Sequence, residues 1–290
     1  MPCLPAWPRS NGKPGSGDPR WQAYRASTLL QAAGRPRGEA FWWRPLPGQD
    51  PAPLVADVFA RCLAGGHSAL VLAPDPGSRL PEATLAVAGQ RATDLRAVAP
   101  AERCRGFLRC QTGHARLAAG GRSAVFAPLR ALGLVVVDDE ANPAYKERRR
   151  PRHHAREVAL ARARLSGATC VLIGDLPSAR AWRLLEEGHL QRVAADRAVE
   201  RRQAPRVDVV DLSDPRPGTR RARFTDAAAR ALSVAVRHGR AAVVLAARGG
   251  QGAALGCRGC GRRLACPACG GSLRGASPDH APPSGGAYGA

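Results

Sequence analysis

Only two lysines, Lys13 and Lys146, occur in this sequence of 290 residues. Positive charge is therefore carried by arginine, and the abundance of Ala, Gly and Pro beside it points to a GC-rich coding sequence. Acidic residues are also scarce: 23 Asp and Glu stand against 44 Lys and Arg, a formal net charge of +21. Codon bias explains arginine in place of lysine but not this excess. The excess excludes the near-neutral balance of an ordinary cytosolic enzyme and favours a polyanionic partner, nucleic acid first, held through phosphate contacts and counterion release. No stretch approaches the roughly 20 uninterrupted apolar residues that span a bilayer. The opening MPCLPAWPRSNGKPG has no apolar core like that of a signal peptide. A cytoplasmic protein with no membrane partner is expected. One further absence bears on chemistry: no G-x-x-x-x-G-K-S/T string occurs anywhere, so the usual phosphate-cradling loop is missing.

What is present reads as an α/β protein of one large or two modest domains. Residues 1–42 are rich in Pro, Gly and Arg without sustained periodicity and are expected to carry little fixed structure. Leu54–Leu63 has helical spacing and ends at Gly65 and Gly66; Ser68–Ala73 is a short apolar run suited to a buried strand. The alternation continues with strands at Ala124–Phe126, Leu134–Val137 and Thr169–Ile173, and with helices at His154–Leu165 and Ala179–Glu187. Strands apolar throughout and separated by helices predict a parallel sheet covered on both faces. Beyond a basic stretch, Val207–Leu212 and Ala241–Ala247 read as strands flanking a helix at Thr225–His238. A domain boundary is expected near 196–205.

Three motifs carry chemistry. Cys257-x-x-Cys260 and Cys266-x-x-Cys269, five residues apart, place thiolates on two tight turns. In a reducing compartment that spacing reads as structural zinc, either one shared four-cysteine site or two half-sites completed elsewhere. Cys3, Cys62, Cys104, Cys110 and Cys170 are scattered and read as packing residues. The run VVVDDEA sets Asp138, Asp139 and Glu140 after a buried strand, where nucleotide hydrolases hold magnesium and activate water. Without the phosphate loop, its plainer reading is a strand ending in solvent-facing acids. The third motif is basic: Lys146, Arg148, Arg149, Arg150 and Arg152 on a loop, with Arg156 just beyond and Arg122 upstream. Such arginines grip phosphates or form a solvated charged turn.

Taken in order, these pieces resemble the PriA family of replication-restart helicases over roughly Trp43 to Leu273. GGRSAVFAP is similar to the family's GTRSAxFxP segment, VVVDDEA to its DEEH box, and AYKERRRPRHHAR to its SYK and PRYHAR segments. GDLPS at Gly174–Ser178 is similar to a shortened GSATPS, and AARGGQG to NRRGY ahead of a zinc-binding insertion. The resemblance implies a RecA-like helicase lobe at 43–200, a linker and start of a second lobe at 201–256, a zinc-binding cluster at 257–273 and a disordered tail at 274–290. It also fits a GC-rich source of the actinobacterial kind.

The departures imply degeneration. Against the family's GSGKT segment, Gly48 falls on the first glycine, but Pro51 replaces the lysine and Ala52 the magnesium-binding hydroxyl. Proline offers a phosphate neither an ammonium nor an N–H. Asp139 replaces the water-activating glutamate and Ala141 the histidine. The family's four cysteine pairs bind two zincs, outer pairs together and inner pairs together; only two pairs occur here, and the segment after Leu273 looks like a truncation or frame shift. The expected function is a replication-restart protein that binds forked or single-stranded DNA and recruits primosome components, with zinc but without ATP-driven motor activity. The alternatives are an active ATP-dependent 3′ to 5′ helicase and a truncated, non-functional fragment or zinc interaction module.

Overall fold

The computed structural model describes residues 19–74, 77–97, 99–210, 225–245, 265–268 and 270. The chain divides between Arg206 and Val207. The first unit is built on seven strands: β1 (Ala40–Trp43), β2 (Ser68–Leu72), β3 (Ala92–Asp94), β4 (Leu117–Gly120), β5 (Leu132–Val137), β6 (Thr169–Ile173) and β7 (Gln191–Val193). They lie in the order β3-β4-β2-β5-β6-β1-β7, and every pairing is parallel. The intervening helices are α1 (Ser27–Gly34), α2 (Ala52–Ala64), α3 (Leu80–Ala88), α4 (Pro100–Thr112), α5 (Ala155–Ser166), α6 (Ala179–Glu186) and α7 (Arg197–Gln203).

The five inner strands are largely apolar runs because both faces are covered, whereas the edge strands β3 and β7 expose polar residues. Side chains alternate across the sheet, so Phe41, Trp43, Val71, Val136 and Val171 enter one core with residues of α1, α2 and α3. Trp42, Leu72, Val135, Val137 and Leu172 enter the other with residues of α5 and α6. Cys62, Cys110 and Cys170 are packing residues in these cores, and burial pushes their thiols up to about 12, about 11 and about 12. Cys104 is instead exposed on α4; Cys3 lies outside the described residues.

Three expectations change. Residues 19–42, read as structureless, supply a 3-10 turn (Pro19–Ala23), α1 and most of β1, with Trp21, Tyr24 and Leu29 buried. The rings of Trp21 and Tyr24 pack around Trp43, tilted and edge-on, with centroids 5.1 and 5.7 Å from it. Ala124–Phe126, expected as a strand, belongs to a 3-10 turn (Arg122–Phe126), since the apolar run Leu117–Gly120 just upstream takes the sheet position. A Cβ on Gly120 would stand 2.4 Å from that of Ala124, so the turn closes onto the strand only because glycine is there. In the second unit, α8 (Asp226–Arg237) forms where helix was expected, capped by Thr225. Residues 207–210 and 241–245 are exposed and not paired as strands, and 211–212 and 246–247 lie outside the described residues.

Candidate functional site

In a parallel sheet every loop after a strand opens on the same edge, where ligands of such folds bind. That edge gathers the loop after β1 (44–51), residues 73–74 and 77–79 after β2, the acids after β5 (138–140) and Gly174–Ser178 after β6. All residues matched to nucleotide chemistry therefore converge.

The loop after β1 is filled from within. Gly48, at φ +74°, still makes its turn. The Leu46 N–H donates to the Tyr24 hydroxyl at 2.8 Å, and that hydroxyl donates to Gln49 Oε1. The Gln49 N–H goes to the Leu46 carbonyl at 3.0 Å, and the Ala52 N–H to Asp50 Oδ1 at 3.0 Å. A phosphate loop works by leaving such N–H groups for the ligand. Here the amides of Leu46, Gln49 and Ala52 are spoken for, Pro51 and Pro53 at the start of α2 have none, and Ala52 is buried without a hydroxyl. Asp50 also puts negative charge at the helix start, where a phosphate would stand. Its Oδ2 pairs with the Arg79 guanidinium at 3.1 Å, while neighbouring Ser78 donates to Asp138 Oδ2 at 2.8 Å. Residues 78–79 thus bridge the loop to the first carboxylate of the acidic box.

The three acids have separate roles. Asp138 is partly buried and accepts from Ser78. Asp139 is exposed at φ +43°, and its Oδ2 accepts from Asn142 Nδ2 at 2.7 Å, which makes it a turn residue. Glu140 has no exposed surface: its Oε2 accepts from Arg156 at 2.7 Å and from the Ser178 hydroxyl at 2.9 Å, and its Oε1 from the Ser178 N–H at 2.6 Å. The shortened GDLPS segment is therefore still tied to the acidic box. Arg156, expected among the DNA-contacting arginines, is buried and turned inward, with Glu157 as its second acidic partner at 2.9 Å. A buried guanidinium is satisfied only by such a fixed set of acceptors.

The basic loop divides into braces and free cations. Backbone pairing of Lys146 with His154, and of the Glu147 N–H with the His153 carbonyl, closes its base. Arg122 donates to the Ala144 and Lys146 carbonyls at 2.8 and 3.2 Å and pairs with Glu147 at 2.9 Å. The Arg149 amide, ahead of Arg122, holds the Glu147 carboxyl below its ordinary value. Lys146 Nζ donates to the Arg152 carbonyl at 2.6 Å. Arg122 and Lys146 thus shape the loop. Arg148, Arg149, Arg150 and Arg152 project from it exposed, and their guanidiniums make no ion pair among the described residues. Beside the loop lies a cavity of about 320 Å³ lined by Arg122, Ser123, Phe126, Ala144, Glu147 and His153. Half-exposed Phe126 meets the His153 ring edge-on at 5.0 Å. The cavity, Tyr24 and residues 78–79 were not singled out from sequence. Spacing of Trp21 and Tyr24 ahead of the apolar positions of α1 is the signal that marks the Tyr24 segment as packed.

Of the four cysteines expected to hold zinc, Cys257, Cys260 and Cys269 lie outside the described residues. No metal-holding cluster of His, Cys, Asp or Glu occurs among those described. No helix among them is long and apolar enough to cross a membrane.

No family model matches the sequence. The solved helicase domain of Pyrococcus furiosus Hef covers 62% of this chain and 40% of that one, at 14% identity and a TM-score of 0.39. Among curated proteins, the Bacillus subtilis replication restart protein PriA is 31% identical over 154 residues, 53% of this chain and 19% of that protein. The Mycobacterium bovis "Probable replication restart protein PriA" is 36% identical over 262 residues, 87% of this chain and 40% of the relative. That of Mycobacterium leprae is 34% identical over 272 residues, 90% and 42%. The chain spans about two-fifths of the length of these mycobacterial relatives. By this similarity the chain belongs with the PriA replication restart proteins over the part of them that it spans.

Proposed function

We propose that the first unit is a RecA-like helicase lobe that binds single-stranded or forked DNA in replication restart, and that its own nucleotide site has lost ATP hydrolysis. The loop after β1 carries this reading: its Leu46, Gln49 and Ala52 amides are held by Tyr24, the loop's own backbone and Asp50, while four arginines beside the same sheet edge stay open to solvent. The cation side of a motor lobe is kept and the phosphate side is closed. Removing one transition-state interaction often costs on the order of a hundredfold or more in rate, and here the lysine and the hydroxyl are missing and the Leu46, Gln49 and Ala52 amides are taken. Zinc at Cys257, Cys260, Cys266 and Cys269, and primosome components as partners, extend the same reading.

Fluorescence anisotropy on labelled single-stranded and forked DNA across a salt series tests the binding half. Submicromolar, salt-sensitive affinity is expected. Replacing Arg148, Arg149, Arg150 and Arg152 by alanine should flatten the slope of log affinity against log salt by about 0.7 to 0.9 for each phosphate that the variant no longer neutralises. Affinity indifferent to salt rejects it. The hydrolysis half fails if pure protein releases phosphate from ATP in a DNA-stimulated manner, and zinc quantification checks the cysteine assignment.

A further inference from the structure

A second basic surface lies at the opposite end of the sheet. Where β3 and β4 begin, an open groove of about 690 Å³ is lined by Gln90, Arg91, Arg109, Thr112 and His114 together with Ala92 and Gly113. No carboxylate lines it. Arg109 is fixed there because its guanidinium donates to the backbone carbonyls of Gln90 and, at 3.3 Å, Ala92. Those acceptors are neutral, so its charge is uncompensated. Arg91 is exposed and carries no ion pair among the described residues. Arg130 flanks the groove beside Gly113, its Nε on the Gln111 carbonyl at 2.7 Å. The His114 ring is set by Thr112, 2.8 Å from Nδ1. Of the acids on the neighbouring elements, Glu82 and Asp94 are drawn to Arg96, and Glu102 stands in the first turn of α4, about two turns from Arg109.

We infer that this groove is a second phosphate-contacting surface, taking the backbone of a duplex arm of DNA while the Arg148–Arg152 loop holds the single-stranded part. The inference rests on the DNA-binding reading above. Charge and topology carry it. The groove offers fixed cations without an internal counter-charge, the lining that phosphodiester oxygens require and neutral ligands do not. It opens at the strand starts, whereas the arginine loop follows the strand ends. A strand of six residues at about 3.3 Å per residue separates the two ends by roughly 20 Å. A ligand that reaches both surfaces must carry phosphates over at least that distance, on the order of six base pairs at about 3.4 Å each. A fork does so; a short single strand engages the loop alone.

The test is Arg91→Glu with His114→Glu in the full chain, two exposed side chains, compared with Arg91→Ala as a milder variant. Anisotropy is measured on a short single strand and on a fork with a duplex arm, across salt. The double variant is expected to weaken fork binding tenfold or more and to flatten its salt slope by up to about 2, with single-strand binding unchanged. Arg91→Ala is expected to flatten the fork slope by about 1. Unchanged fork binding in both variants overturns the inference and leaves the groove to another class of partner, such as an acidic protein, while wild-type binding to both DNAs still upholds the DNA-binding reading. Wild-type protein that binds neither DNA overturns both.

Discussion

Glu140 and Arg156 form the most buried ion pair among the described residues, and each is the other's nearest counter-charge. Removing one partner strands the other, so Arg156→Ala should cost about 3 to 5 kcal/mol, read as a drop in denaturation midpoint. The double variant Glu140→Gln with Arg156→Met removes both charges and should cost less than the sum of the singles, a coupling of about 0.5 to 3 kcal/mol in a double-mutant cycle. Additive losses would show that the two groups do not act as a pair. His154 makes a separate prediction. Its Nδ1 accepts the Arg156 N–H at 3.3 Å as the cap of α5, which requires an unprotonated nitrogen. Burial, with Arg156 adding to it, lowers its pKa. The neutral form is thus favoured in the folded state, and the stability it lends is present above the unfolded value of about 6.5 and lost as pH falls below it. Melting temperature should fall on acidification through this range, and His154→Asn, which keeps a capping acceptor without titrating, should flatten that part of the profile.

The loop after β1 sets the behaviour of its element. If the missing residues alone closed the site, Pro51→Lys with Ala52→Thr would restore nucleotide binding. The expected result is no ATP affinity by calorimetry, because the Leu46 amide stays on Tyr24 and Asp50 still stands at the start of α2. Adding Tyr24→Phe and Asp50→Gly to that pair should be needed before any affinity appears; affinity from the pair alone would show that substitution, not occlusion, closed the site. The degenerate residues at Gly48, Pro51 and Ala52 could be read from the sequence, as could β2, β5, β6, α5 and α6, because continuous apolar runs and helical spacing are local signals. The occlusion could not. Tyr24 lies 22 residues from the amide it covers, and a Pro- and Gly-rich preamble hid the apolar positions of α1. The short strands β3 and β4 escaped notice for a related reason: three or four residues carry too little periodicity to stand out. The inward turn of Arg156 depends on Glu140 and Ser178, which only the fold brings beside it.

At the scale of the whole molecule, both cores are built from residues between Trp21 and Ala195, with Val199 packed against the one that holds Trp43. Among the described residues, those that fill them all precede Arg206, where the chain divides. A shortened chain ending at Arg206 should therefore unfold cooperatively with the same midpoint as the main transition of the full chain, followed by circular dichroism. A clearly lower midpoint would mean that the second unit packs against the first and supports it. The same shortened chain locates function. It keeps the Arg148–Arg152 loop, the Arg91–Arg109 groove and most of the excess positive charge. If those two surfaces do the binding, it should retain single-strand affinity and fork preference while losing whatever zinc the full chain holds. Loss of fork preference with single-strand affinity intact would move recognition of the duplex arm away from the sheet and into the cysteine-bearing segment.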